Sequence, residues 1–119
     1  MGDLTAHFSK KEFACPCCGR DDIDKKFVER LESARRLAGV AFRINSGVRC
    51  LEHNKRVGGV DSSAHVLGVA ADIKVSTSHR RFKIRDALLG AGFTRFGSAK
   101  NFIHVDCDET KDQEVEWMY

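Results

Sequence analysis

Between Asp24 and Ala38 the apolar residues Phe27, Leu31, Ala34 and Ala38 recur at intervals of four, three and four. Val28 and Leu37 widen the stripe, charged residues fill the gaps, and Gly39 follows as a stop signal. This period predicts an amphipathic helix over 24–38. The stretch from Phe42 to Ser46 alternates apolar and polar and halts at Gly47, as a short strand does. Val69 to Val75 mostly alternates and reads as a second strand. Ser78 can cap a helix from about 79 to 90 whose apolar residues are Phe82, Ile84, Leu88 and Leu89, closed by Gly90 and Gly92. Phe93 to Phe96 and Phe102 to Cys107 read as two further strands about a turn at Gly97-Ser98, followed by a polar tail ending in Trp117-Met118-Tyr119. Near the N-terminus, Ser9 and Glu12 have the spacing of a capping box, so a short helical turn starts between Phe8 and Phe13. The sum is an α+β fold, a small, mostly antiparallel sheet with helices packed on it.

Residues 47–68 break this regularity. They hold four glycines with scattered Ser, Asn, Asp and His, a loop of about twenty residues. A loop of that length in a compact domain is usually functional.

Length and charge narrow the choices. A chain of 119 residues fits one domain, 1–119, large enough to fold without a disulfide or a metal as a staple. Twenty Lys and Arg against seventeen Asp and Glu leave +3, evenly mixed along the chain, which gives no reason to expect nucleic acid as a partner. No apolar run reaches the ~20 residues of a membrane span, and the N-terminus lacks the apolar stretch of a signal peptide. The expectation is a soluble protein made in the cytoplasm, a monomer by default.

The candidate chemistry lies in the loop and the two strands after it. His65 and Asp72 are seven apart, which on one helix would separate their backbones by about 10 Å, too far for one ion. A bend at Gly68 would let His65 fold back beside Asp72. His104 lies on a later strand and shares a face with Asp106 because strand side chains alternate. Two imidazoles and one carboxylate are a three-ligand zinc set that leaves a fourth position open, the catalytic rather than the structural form. Zinc makes hydroxide available at neutral pH and polarises a carbonyl, so amide hydrolysis follows.

Ser46-Gly47-Val48-Arg49, His53-Asn54, Gly58-Gly59, Ser63-x-His65-x-x-Gly68-x-Ala70-x-Asp72 and Phe102-Ile103-His104-Val105-Asp106 together resemble the zinc D-alanyl-D-alanine carboxypeptidase family of murein peptidases, in its short phage and bacterial branch. The resemblance runs from about Phe8 to Tyr119. It implies a hedgehog-like α+β zinc peptidase acting on peptidoglycan stem peptides, with His65, Asp72 and His104 on the metal. It also implies that Arg49 binds the substrate carbonyl or carboxylate through paired hydrogen bonds. The expected activity is an L-alanyl-D-glutamate endopeptidase, with D-alanyl-D-alanine carboxypeptidase as the alternative. An open groove would favour the former, and a sealed end with a second cation beside Arg49 the latter. The missing signal peptide suits a phage lysis protein that reaches the cell wall once the membrane is breached.

Where several members carry an acid three residues before the last zinc histidine, this chain has Asn101. Asp106 is then the candidate general base, its other reading being to hold an imidazole by a hydrogen bond. Asp108 and Glu116 stand behind it. The absent acid also keeps open an inert zinc-containing binding module. Ser63 is expected to meet substrate or turn the loop, and Trp117 and Tyr119 to flank the cleft or pack on the core. His53 and Asn54 are read as braces of the loop, and His7 and His79 as surface residues. Cys15, Cys17 and Cys18 invite a second metal, but no downstream Cys-x-x-Cys completes it. Free thiols, a disulfide and a structural metal all stay open, with Cys107 the better partner for Cys50.

Overall fold

The computed structural model describes residues 2–60 and 62–119. A 3-10 turn at Lys10–Phe13 leads to α1 (Lys25–Ala38), β1 (Ile44–Ser46), α2 (Leu51–Arg56), β2 (Ala70–Lys74) and α3 (Ser78–Gly90). Strands β3 (Arg95–Ser98), β4 (Phe102–Asp106) and β5 (Val115–Met118) complete one five-stranded sheet in the order β1-β2-β4-β3-β5. The fold is α+β with a mixed sheet. The pairings β1–β2, β2–β4 and β3–β4 are antiparallel, and β3–β5 is parallel.

Local signals start the elements where the pattern placed them, with small shifts. Asp24 caps α1 by accepting from the Phe27 amide at 2.9 Å. The Glu12 carboxylate accepts from the Ser9 amide at 2.7 Å, the reciprocal bond of a capping box. Thr77 rather than Ser78 caps α3, its hydroxyl accepting from the Arg80 amide.

Alternation along β2 and β4 divides the sheet into two chemically different faces. The register pairs Ala71 with Val105 and Ile73 with Ile103, and these side chains are buried together with Phe27, Leu31, Ile84 and Leu88 of α1 and α3. The same register pairs Asp72 with His104 on the opposite face. An apolar layer of this kind gains about 1.5–3 kcal/mol per fully buried large side chain, and it holds the polar pair in place from behind. Phe27 meets Phe93 edge-on at 5.7 Å, joining α1 to the segment that enters β3.

Four expectations change. The turn expected at Gly97-Ser98 falls at 99–101, because Gly97 and Ser98 pair with His104 and Ile103 as the end of β3. The apolar face of α3 is Ile84, Ala87 and Leu88, whereas Phe82 is 70% exposed, because two residues turn the helix by about 200° and carry Phe82 away from Ile84. The loop over 47–68 contains α2, six residues too short to show a helical period. The polar tail forms β5, an edge strand whose burial alternates and whose pairing partner lies about twenty residues upstream.

Candidate functional site

The site begins with the register of β2 and β4. Because Asp72 and His104 are directly opposite, His104 Nδ1 lies 2.9 Å from Asp72 Oδ1. His65 arrives from the loop. Gly68 sits at φ +75°, where a side chain would be strained and its Cβ would lie 3.0 Å from the Asp22 carbonyl oxygen. The Gly68 amide donates to the His65 carbonyl, and the Gly68 carbonyl accepts from the Asp24 amide. This turn folds the loop back so that His65 Nε2 stands 3.3 Å from the same Asp72 oxygen. All three donor atoms fall within 4.8 Å of one another, and all three residues are buried.

The outer ring nitrogens decide what the inner ones present. His65 Nδ1 is 2.7 Å from the Gly47 carbonyl, which can only accept, so the ring proton belongs on Nδ1. His104 Nε2 donates in the same way to Asp106 Oδ2 at 2.7 Å. When both rings are neutral, as metal ligands are, these outer bonds turn the inner lone pairs towards one buried carboxylate oxygen. The contact calls for positive charge among the three groups, a ring proton or a metal ion. Burial alone would raise the Asp72 carboxyl, but its contacts with His104 and His65 hold it well below the usual carboxylate range. Burial alone would lower the His104 ring, and the Asp106 and Asp72 carboxylates outweigh it and raise it. The donors around a tetrahedral zinc ion with bonds of about 2.0–2.1 Å are about 3.3 Å apart. The 2.9 and 3.3 Å spacings found here, with two nitrogens and one oxygen, fit such an ion.

Asp106 stands at the other nitrogen of the His104 ring from Asp72. Its Oδ2 faces His104, and its Oδ1 accepts from Arg95 Nε at 2.7 Å and from the Asp108 amide at 3.1 Å. Both oxygens are engaged, an arrangement that fits the orienting hydrogen bond, one of the two roles expected of Asp106. The weaker candidates lie elsewhere. Asp108 pairs with Lys111 Nζ at 2.7 Å and accepts from the Thr110 hydroxyl, and Glu116 is clasped by Arg85 on the far edge of the sheet. Asn101 is exposed and lies outside the cleft, whose wall on β4 is Phe102, His104 and Asp106.

A cleft of about 400 Å³ opens over the three donor atoms. Arg49 lies on its rim with Nη2 3.5 Å from Asp72 Oδ2, Nε donating to Ser46 and Nη1 to Asn54. Asn54 is fully buried and also donates to the Val60 carbonyl at 2.7 Å, so it braces both loop and arginine. Ser63 lines the cleft, and its hydroxyl accepts from the His65 amide at 3.2 Å, which supports the turn. Trp117 and Tyr119 form the opposite wall, with the Trp117 ring 5.5 Å from the His104 ring.

Sequence reasoning missed Arg95 and Lys111, both of which line the cleft. Arg95 is buried beneath Trp117 at 5.1 Å, and only its place in the alternation of β3 could have singled it out. His7 is more than a surface residue, since its ring binds the buried Glu32. Cys50 meets Cys15 and Cys18 rather than Cys107, whose thiol burial pushes up to about 11.

No curated protein sequence matches the chain. The Peptidase M15 family profile, by contrast, matches residues 6–106, a span that takes in Arg49, Ser63, His65, Asp72, Arg95, His104 and Asp106, and the chain belongs to this family of zinc peptidases.

Proposed function

We propose that residues 1–119 form a single zinc metallopeptidase domain that hydrolyses a peptide bond of the peptidoglycan stem, as an L-alanyl-D-glutamate endopeptidase. His65 Nε2, Asp72 Oδ1 and His104 Nδ1 would hold the metal. The chemistry a bound zinc ion supplies is Lewis acidity, which makes hydroxide available near neutral pH and polarises a carbonyl. The chain's own residues do the rest. The Gly47 carbonyl and Asp106 keep the ring protons on the outer nitrogens and the lone pairs on the inner ones. Arg49, held by Ser46 and Asn54, donates paired hydrogen bonds to charge developing on the scissile carbonyl. Trp117 and Ser63 line the path of the peptide.

The observation that carries this reading is the convergence of two imidazole nitrogens on one buried carboxylate oxygen. The endopeptidase form is supported by the walls of the cleft, which run out to exposed Val57 and Val60 on one side and Tyr119 on the other, as a groove for a continuing chain would. The other cations there are already matched, Arg95 by Asp106 and Lys111 by Asp108, which disfavours a pocket for the free carboxylate of a D-alanyl-D-alanine substrate. We read the protein as a monomer that acts on the cell wall.

The test is to incubate the purified protein with peptidoglycan, with and without a chelator, and to identify released ends by mass. Chelator-sensitive appearance of D-glutamate amino termini is the expected result. Release of free D-alanine identifies the carboxypeptidase. One bound zinc with no cleavage leaves an inert binding module.

A further inference from the structure

The N-terminal segment carries a cluster of sulfurs that the peptidase site does not use. Cys15-Pro16-Cys17-Cys18-Gly19 has the Cys-x-x-Cys spacing of a zinc knuckle between Cys15 and Cys18. The backbone is wound to match, with the Gly19 amide donating to the Cys15 carbonyl at 2.8 Å and the Cys15 amide to the Arg20 carbonyl at 2.7 Å. Cys50, 35 residues beyond Cys15, is brought to the same point by the fold. The thiols of Cys15, Cys18 and Cys50 lie within 4.8 Å of one another. Tetrahedral zinc with Zn–S bonds of about 2.3 Å separates its sulfurs by about 3.8 Å, so these three need little movement. Cys17 is the next thiol, beside Cys50, with the Arg56 guanidinium on its sulfur.

We infer a second metal site, in which the thiolates of Cys15, Cys18 and Cys50, with Cys17 as fourth donor, hold a structural zinc ion that ties the N-terminal segment to the loop bearing Arg49. Two features favour thiolates over buried neutral thiols or a disulfide. Backbone amides point at the sulfurs, from Cys50 to Cys15 Sγ and from His53 to Cys50 Sγ, each at 3.4 Å, which stabilises negative charge on them. A disulfide would use two of the three clustered sulfurs and strand the third, whereas an ion uses all three, with Cys17 beside Cys50 to complete the set. Each thiol gives up its proton as it binds, and no electron is transferred.

The position gives the site a purpose. Cys50 adjoins Arg49 and caps α2, which carries Asn54, the brace of Arg49. The Val48 amide also donates to the Phe13 carbonyl, so residues 13–18 and 48–50 are already stitched together where the ion would clamp them. The cysteines are positioning residues for Arg49 and touch no reacting atom.

The experiment is elemental analysis and native mass spectrometry of the full chain purified under reducing conditions with zinc supplied. The expected result is two zinc ions per chain, one of them released by a thiol-specific mercurial and read with a chromogenic indicator. His65→Ala should keep one zinc, all of it mercurial-labile. Cys50→Ser should keep one that the mercurial does not release, with kcat/KM lowered about tenfold. If Cys50→Ser does not fold, the His65→Ala measurement decides alone. One mercurial-resistant zinc in the native protein with five titratable thiols, or, in protein purified without reductant, a mass two hydrogens light with two thiols missing, overturns the proposal. A native protein whose single zinc is fully mercurial-labile would instead refute the histidine site and leave this one standing.

Discussion

The Asp106 carboxylate meets the His104 ring at 2.7 Å, at the ring nitrogen that does not face Asp72. It therefore fixes which nitrogen of His104 is free to bind a cation and makes that nitrogen more basic. Asp106→Asn should weaken zinc binding by about 10–100-fold, with turnover recovered when zinc is supplied in excess. Competition with a chelating dye measures the first, and peptidoglycan hydrolysis at saturating zinc the second. Unchanged zinc affinity with no turnover would restore Asp106 as the proton acceptor.

Arg49 is a fork held at three points, by Ser46, Asn54 and Asp72. A lysine cannot keep two parallel hydrogen bonds on substrate while satisfying these neighbours. Arg49→Lys is expected to lower kcat/KM by about 10²–10³ with zinc content unchanged, as losing one donor to a developing oxyanion does. Steady-state kinetics on a defined stem peptide and elemental analysis of the same preparation check both halves.

Gly97 pairs with His104 across the sheet and leaves room for the aromatic wall of the cleft. A Cβ there would lie 2.4 Å from Trp117 Nε1 and 2.7 Å from the Tyr119 ring, so the indole has to move. Gly97→Ala should raise KM severalfold more than it lowers kcat, at a stability cost of about 1–3 kcal/mol. Trp117 is the only tryptophan, so a shift in intrinsic fluorescence reports its displacement directly. An unmoved emission spectrum with normal KM would remove Trp117 from the substrate path.

Glu32 is a buried carboxylate under the N-terminal segment. Burial raises its pKa, but hydrogen bonds from the His7 ring at 2.6 Å, the Thr5 hydroxyl at 2.7 Å and the His7 amide at 2.8 Å outweigh that and bring it to about 2. Arg36 Nε lies 3.4 Å from the same carboxylate. The folded pKa is below the ordinary 4.5, so the stabilisation is complete above that pH and is lost as pH falls towards 2. It amounts to about 3 kcal/mol. Denaturant titrations should show stability dropping across this window, and Glu32→Gln should be less stable at pH 7 and flatter with pH.

Much of this molecule is written locally. The three- and four-residue period of α1, the alternation of β2 and the arrest at Gly39 are properties of neighbouring residues, and the elements formed where they predicted. Phe82 shows the limit, because a helix carries apolar residues on any side and only the packed structure says which side is covered. Asp106 shows it again. Its position on the face of His104 follows from alternation, yet its role depends on Arg95, eleven residues away on another strand.

The sequence by itself determined that two imidazoles and a carboxylate of zinc-binding type would occupy one side of a buried sheet, since alternation and a glycine bend are short-range matters. Only the tertiary structure decided which nitrogen of each ring faces inward, that Asp106 binds a ring, and that Cys50 joins the cysteines of the knuckle. Those outcomes rest on hydrogen bonds between residues far apart in the chain. A one-residue slip between β2 and β4 would keep every local pattern and still turn Asp72 away from His104.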